Sequence, residues 1–209
     1  EPDTTGGIKW LRKAAELGHV QSMSRLGQYI LKGEVKGAKF SEGVKWVKKA
    51  ANNGYAPAQT SLGGMYVIGD LIEQDYLRAK EWLLKATRQN YPRAQSFLGQ
   101  YYREGRGMEK PDFIEAIKWY RLAARQGDGP AQFALGMMHM DGMGVNKDFR
   151  EAYKWLEISQ RHGMEGVGAR LAGCAKELTP VEIRRVVAKA KQFRAQNYYH
   201  PDGTAGEEP

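Results

Sequence analysis

The sequence predicts an all-α protein, an α/α superhelix (solenoid) of about five helical hairpin repeats followed by a C-terminal capping helix. Three observations predict it. All five tryptophans fall on one ruler, Trp10, Trp46, Trp82, Trp119 and Trp155, at spacings of 36, 36, 37 and 36. Other positions recur in register with them. A small residue comes four places later (Ala14, Ala50, Ala86, Ala123, Ser159), and a Leu-Gly pair sixteen and seventeen places later (Leu26-Gly27, Leu62-Gly63, Leu98-Gly99, Leu135-Gly136, decaying to Leu171-Ala172). Within a period the apolar spacing is helical: Phe113, Ala116, Trp119 and Ala123 step by 3, 3 and 4 and form one stripe. A period of this length marks stacked supersecondary units.

Each repeat reads as a Trp helix, a glycine turn and a Leu-Gly helix. The turn glycines are Gly18, Gly54, Gly127 and Gly163; the third copy has Asn90, the residue that best replaces glycine in the left-handed conformation ending a helix. The first repeat departs by reading Ser22-Met23 where later copies read Ala-Gln. Proline opens the Leu-Gly helix of the second, third and fourth repeats, in "APAQ", "YPRAQ" and "GPAQ", where its missing N–H costs nothing. Glycine pairs follow that helix in the third and fourth repeats (Gly105 and Gly107, Gly142 and Gly144), and the one extra residue falls in the loop near Pro111. The fifth repeat decays, with Val167-Gly168 in the Ala-Gln slot, as a terminal repeat facing water should. The small residues are expected to let helices approach closely. The tryptophans are expected to fill the space between hairpins, with Trp46, Trp82 and Trp119 largely buried.

The array is expected to span residues 1–178. Residues 179–197 break the period: Thr179, Pro180 and Glu182 read as an N-cap and capping box, and Ile183, Val186, Val187, Ala190 and Phe193 form an apolar stripe. Arg184, Arg185, Lys189, Lys191 and Arg194 fill the other faces. A basic amphipathic helix suits a membrane surface, but a cap sealing the last repeat is the simpler reading. Residues 198–209 carry no periodicity and are expected to be disordered.

The composition narrows the function. The chain has 209 residues, 42% of them hydrophobic, and a net charge of +8, which favours acidic partners. Its one cysteine, Cys174, excludes an intrachain disulfide and a multi-cysteine metal cluster. No apolar run approaches the roughly 18 residues of a membrane span. No signal segment opens the chain, and it starts at Glu1 rather than Met, so a processed form is expected.

The segment "AIKWYRLAARQGDGPAQFALGMMHMDGMGV" resembles the Sel-one-like repeat, a relative of the tetratricopeptide repeat, and "GVKWVKKAANNGYAPAQTSLGGMYVIGD" and "AKEWLLKATRQNYPRAQSFLGQYYREGRG" are similar copies. The resemblance covers roughly residues 5–177. It implies a protein–protein adaptor or scaffold. For a bacterial chain it further implies the periplasm or cell envelope, with inhibition (immunity) of a secreted effector as one role; the cytoplasm is the alternative compartment. A structural spacer within a longer protein is the competing function, and a metal-binding or hydrolytic repeat protein is the remaining alternative.

One stretch invites chemistry. "GMMHMDGMGV", residues 136–145, places Met137, Met138, Met140 and Met143 around His139, donors that suit copper(I). The repeat register argues otherwise. His139 occupies the slot of Tyr66 and Tyr102, and Gly142-Met143-Gly144 the turn slot of Gly105-Arg106-Gly107. Consecutive helical residues point about 100° apart, so Met137 and Met138 cannot easily share one ion with His139. No metal, cofactor or catalytic constellation is expected, and Cys174 is expected to be buried and inert. Lys45, Lys48, Lys49, Lys118, Arg121 and Arg125 cluster on the Trp helices, but acidic residues interleave and no stacking motif accompanies them, so no nucleic acid is expected.

In tetratricopeptide-like stacking the Leu-Gly helices line the concave face. The residues two before Leu, two after it and five after it are then expected to face a partner: Ser24, Gln28 and Leu31; Thr60, Gly64 and Val67; Ser96, Gln100 and Arg103; Phe133, Met137 and Met140. Gln28, Thr60, Ser96, Gln100, Arg103, Phe133, Met137 and Met140 are the candidate partner-binding residues. The last three form an apolar i, i+4, i+7 stripe, and methionine-rich surfaces adapt to partners at small cost.

Overall fold

Short-range chemistry starts and stops each helix. Asp75, Asp112 and Asp148, seven places before a tryptophan, accept backbone N–H bonds from Arg78, Glu115 and Glu151 at 2.9, 2.9 and 3.2 Å and so cap three Trp helices. Pro57, Pro92 and Pro130 sit in the first turn of three Leu-Gly helices. The turns between them take the left-handed conformation, including Asn90 at φ 56°, as the glycine register predicts.

The computed structural model describes residues 4–196. Among them are helices and no strand, the all-α helical-repeat class that the periodicity predicts. They form two compact units, divided between Gln89 and Asn90. The first unit holds α1 (Thr4–Glu16), α2 (Val20–Leu31), α3 (Phe40–Asn52), α4 (Ala56–Ile68) and α5 (Tyr76–Thr87). The second holds α6 (Pro92–Arg103), α7 (Phe113–Arg125), α8 (Gly129–Asp141), α9 (Phe149–Arg161), α10 (Gly168–Ala175) and α11 (Pro180–Gln192). Within each unit consecutive helices pack together, except that α11 returns to pack on α9.

The tightest seams run from each Leu-Gly helix to the Trp helix that follows. A Cβ built on Gly27 lies 2.8 Å from Val47, on Gly63 2.9 Å from Leu83, on Gly99 2.8 Å from Tyr120, and on Gly136 2.6 Å from Leu156. No real Cβ fits there, so glycine is what lets these backbones approach.

The partners in those seams lie one residue beyond each tryptophan. Val47, Leu83 and Leu156 are 0% exposed and Tyr120 3%. This corrects the expected place of the tryptophans: Trp46, Trp82 and Trp119 are half-buried, as is Trp155, and Trp10 is 71% exposed. One residue turns a helix by about 100°, so only one of two neighbours can point into the seam, and the aliphatic or tyrosine side chain takes it. The indoles lie at the margin, where Lys49 stands 5.2 Å above the ring of Trp46 and Lys85 4.0 Å above that of Trp82. Trp82→Ala is therefore expected to cost about 2 kcal/mol, below the 3–5 kcal/mol of a fully buried aromatic. Urea denaturation measures it.

The capping box of α11 forms as expected. The backbone N–H and hydroxyl of Thr179 donate to Glu182 at 2.9 and 2.8 Å, and the Glu182 N–H donates to the Thr179 hydroxyl at 3.3 Å. The apolar stripe turns inward, with Val186 and Ala190 buried and Ile183 and Val187 half-buried. The helix ends at Gln192, short of the expected 197. Phe193 leaves it at ψ 132° and lies 5.9 Å from the Trp155 ring and 5.8 Å from that of His162. Gln196 N–H then donates to the Arg125 carbonyl at 2.8 Å, so residues 193–196 strap the ends of α7 and α9. Residues 198–209, expected to be disordered, lie outside the described residues.

Candidate interaction surface

Three of the candidate binding residues do not reach an open surface. Ser24, Thr60 and Ser96 are buried at 2%, 4% and 8% exposure. Each stands one helical turn before the seam glycine and so faces the neighbouring helix. Two of the hydroxyls have partners within the fold: Thr60 donates to the Ala56 carbonyl at 2.9 Å, and Ser96 donates to the Asp128 carboxylate. In the first unit Gln28 is exposed and Leu31 and Val67 are half-buried, while Gly64 is buried.

In the second unit α6 and α8 are neighbours, and the remaining candidates lie on them. Gln100 is exposed and its amide donates to Glu104 at 2.8 Å. Arg103 and Arg106 reach the same carboxylate at 3.5 and 2.6 Å. Burial opposes the charge on Glu104, but the bonds from Gln100 and Arg106 and the nearby guanidinium charges outweigh it and hold its pKa below the ordinary carboxylate range. Arg103 is thus already paired within its own unit.

Phe133, Met137 and Met140 are half-buried on α8. Phe133 and Met140 rest against a cluster formed by Ala152, Leu156, Val167, Leu171 and Cys174. Met138 packs elsewhere, with Ala116, Tyr120 and Leu135 of the α7–α8 cluster, and Met143 lies against that same cluster. Met140 thus packs apart from Met138 and Met143. His139 is 7% exposed, its Nδ1 has no hydrogen-bond partner, and burial pulls its pKa below the ordinary imidazole value. Among the described residues no group of three or more His, Cys, Asp or Glu side chains is placed to hold a metal ion. Burial raises the pKa of the Cys174 thiol, the opposite of nucleophile activation. No described helix is long and apolar enough to cross a membrane.

A recurring polar device went unread in the sequence. The glutamine of each Ala-Gln pair is buried: Gln59 at 5%, Gln95 at 2% and Gln132 at 0% exposure. Gln59 and Gln132 donate to the Ala51 and Ala124 carbonyls at 3.3 and 3.0 Å. Their oxygens, and that of Gln95, meet the residue seven places after the next tryptophan: Gln89 donates to Gln59 at 2.9 Å, Gln126 to Gln95 at 2.8 Å, and His162 Nδ1 lies 2.9 Å from Gln132 Oε1. The signal was the recurrence of Ala-Gln itself, beyond what helix initiation requires. The first repeat, with Met23 in this slot, buries an apolar side chain there instead.

The Sel1 repeat family model matches residues 1–19, 20–55, 56–91, 92–128 and 129–162. Its full internal repeats join a Leu-Gly helix to the following Trp helix, the same pairs that the seam glycines mark. Among solved structures, a Sel1 repeat protein from Oxalobacter formigenes is 26% identical with a TM-score of 0.78, covering 91% of this chain and 80% of that one. The protective antigen c5321 of uropathogenic Escherichia coli strains, which displays an SLR fold, is 27% identical with a TM-score of 0.75; the match covers 96% of this chain and 45% of the antigen, so this chain spans less than half of that protein's length. No curated protein matches the chain. Five matched repeats spread over residues 1–162, with Leu-Gly helices seated by glycine on Trp helices, make this chain a member of the Sel1 repeat family.

Proposed function

We propose that the chain is a protein-recognition module whose second unit seats an apolar side chain of its partner on Met137, flanked by Phe133 and Met140 of α8 and by Gln100 and Arg103 of α6. Sel1 repeat proteins generally act as protein–protein interaction modules. The observation that supports it is local. The slots that hold Gln28, Gly64 and Gln100 in the earlier repeats hold Met137 in the fourth, half-exposed between two further large apolar side chains. An apolar patch left open to water tends to mark a contact site. The net charge of +8 suits an acidic partner and speeds its encounter. Both solved relatives come from bacteria, and we place the protein in a bacterial cell envelope, with inhibition of a secreted effector as one role; cell fractionation checks the compartment.

Met137 is the residue to test, because Phe133 and Met140 also support the α9–α10 cluster. A photo-crosslinker at position 137 identifies the partner, which is then titrated calorimetrically against wild type and Met137→Glu. Met137→Glu is expected to weaken binding about 30-fold, roughly 2 kcal/mol on the hot-spot scale, with unchanged circular dichroism. Unchanged affinity, or loss of the fold, would overturn the assignment.

A further inference from the structure

The basic residues of α11 lie outside the proposed contact face, yet two of them meet two from α9 across a cleft. Arg150 and Lys154 stand one turn apart on α9, and Arg185 and Lys189 one turn apart on α11; together with Glu151, Glu182 and the buried Val186 they line a hollow of about 380 Å³. The α9 pair is partly neutralised within the cleft. Lys154 lies 2.5 Å from Glu151, and Arg150 lies 3.6 Å from Glu182. Glu182 is itself held by Thr179, whose backbone and hydroxyl bonds, with help from the Arg150 and Arg185 charges, keep its pKa below the ordinary value. Among the described residues, no carboxylate lies within ion-pair distance of Arg185 or Lys189. Among the described lining residues four cations face two carboxylates, an excess of two positive charges.

We infer that this cleft docks an extended acidic segment of the partner protein, a site that rests on the protein-recognition reading above. Spacing favours a peptide over a single phosphate. Cations at i and i+4 on a helix are about 6 Å apart along its axis. Carboxylates at alternate positions of an extended chain are about 6.6 Å apart on one side. One segment with alternating acids therefore meets both levels of the cleft, whereas one phosphate meets one. A membrane surface is disfavoured because a surface-bound helix needs a free apolar face, and the stripe of α11 is already turned inward: Val186 and Ala190 are buried, and Phe193 lies against Trp155.

The test is anisotropy of a fluorescein-labelled (Glu-Thr)₄ peptide titrated with the full chain at low salt. Arg185→Ser/Lys189→Ser is expected to weaken binding at least tenfold. Arg184→Ser/Lys191→Ser, which removes the same charge from exposed positions outside the cleft, is expected to leave affinity within twofold. Equal loss in the two double variants would show attraction by net charge alone and overturn the site. So would failure of the wild type to bind, displacement of the peptide by equimolar inorganic phosphate, or sedimentation of the protein with vesicles of 30% phosphatidylserine and 70% phosphatidylcholine. Met137→Glu is expected to bind this peptide normally, so failure of the cleft and failure of the Met137 contact are read separately.

Discussion

Gly136→Val is expected to destabilise the second unit by about 3 kcal/mol, the upper range for overpacking a core. A Cβ at this position would lie 2.6 Å from Leu156 Cγ, 2.9 Å from its Cδ2 and 3.2 Å from the Ala152 carbonyl oxygen. Leu156 is fully buried and cannot swing away, and the carbonyl belongs to a helix backbone. The added methyls must then push α8 from α9. Helix propensity works the other way, since valine in place of glycine gains a few tenths of a kcal/mol in a helix interior, so the measured loss understates the clash. Urea denaturation followed by circular dichroism measures it, and a loss under 1 kcal/mol would show that the seam yields. A second comparison isolates the contact. If the clash is with Leu156, Gly136→Ala combined with Leu156→Ala should cost clearly less than the sum of the two single changes.

Such a seam explains what could be read from the sequence and what could not. Periodicity reports which positions are constrained. It showed the hairpins, the first-turn prolines, the left-handed slot filled by Asn90 and the capping box of Thr179, because each is set by neighbours close along the chain. It does not report which of two adjacent constrained residues points inward. Trp82 and Leu83 both sit in the recurring block, and only packing decides that the leucine takes the seam while the indole lies at the margin under Lys85. The same ambiguity misplaced Ser24, Thr60 and Ser96, which tetratricopeptide-like stacking would turn toward a groove although each is buried. On the candidate surface, the proximity of Phe133, Met137 and Met140 followed from helical spacing alone. The support of Phe133 and Met140 by Val167, Leu171 and Cys174 did not, because it depends on how the decayed fifth repeat packs. The α9–α11 cleft was unreadable for a related reason: its four cations come from segments about 35 residues apart in the chain, brought together only when α11 packs on α9.

Gln132→Ala is expected to cost about 3 kcal/mol, more than its polarity suggests. The side chain is 0% exposed. Its amide donates to the Ala124 carbonyl at 3.0 Å, and its oxygen faces His162 Nδ1 at 2.9 Å. Because the amide end points to a carbonyl, the oxygen is left for His162, which donates from Nδ1. Truncation removes two hydrogen bonds, each worth about 1 kcal/mol net, and opens a cavity between α7, α8 and α9. The Ala124 carbonyl keeps its bond from the Gly127 N–H at 3.1 Å, so it is not orphaned. That separates the two contributions. Gln132→Met keeps most of the volume and loses only the bonds, and Met23 already occupies the same repeat slot in the first unit at 2% exposure. It is expected to cost about half as much as Gln132→Ala. Adding His162→Leu to Gln132→Met should cost little more, since the bond between the two is already gone. If Gln132→Met proved as harmful as Gln132→Ala, the bonds alone would carry the effect and the cavity would not matter. If both were neutral, the glutamines would be passengers in the array rather than the pins that join each repeat to the next.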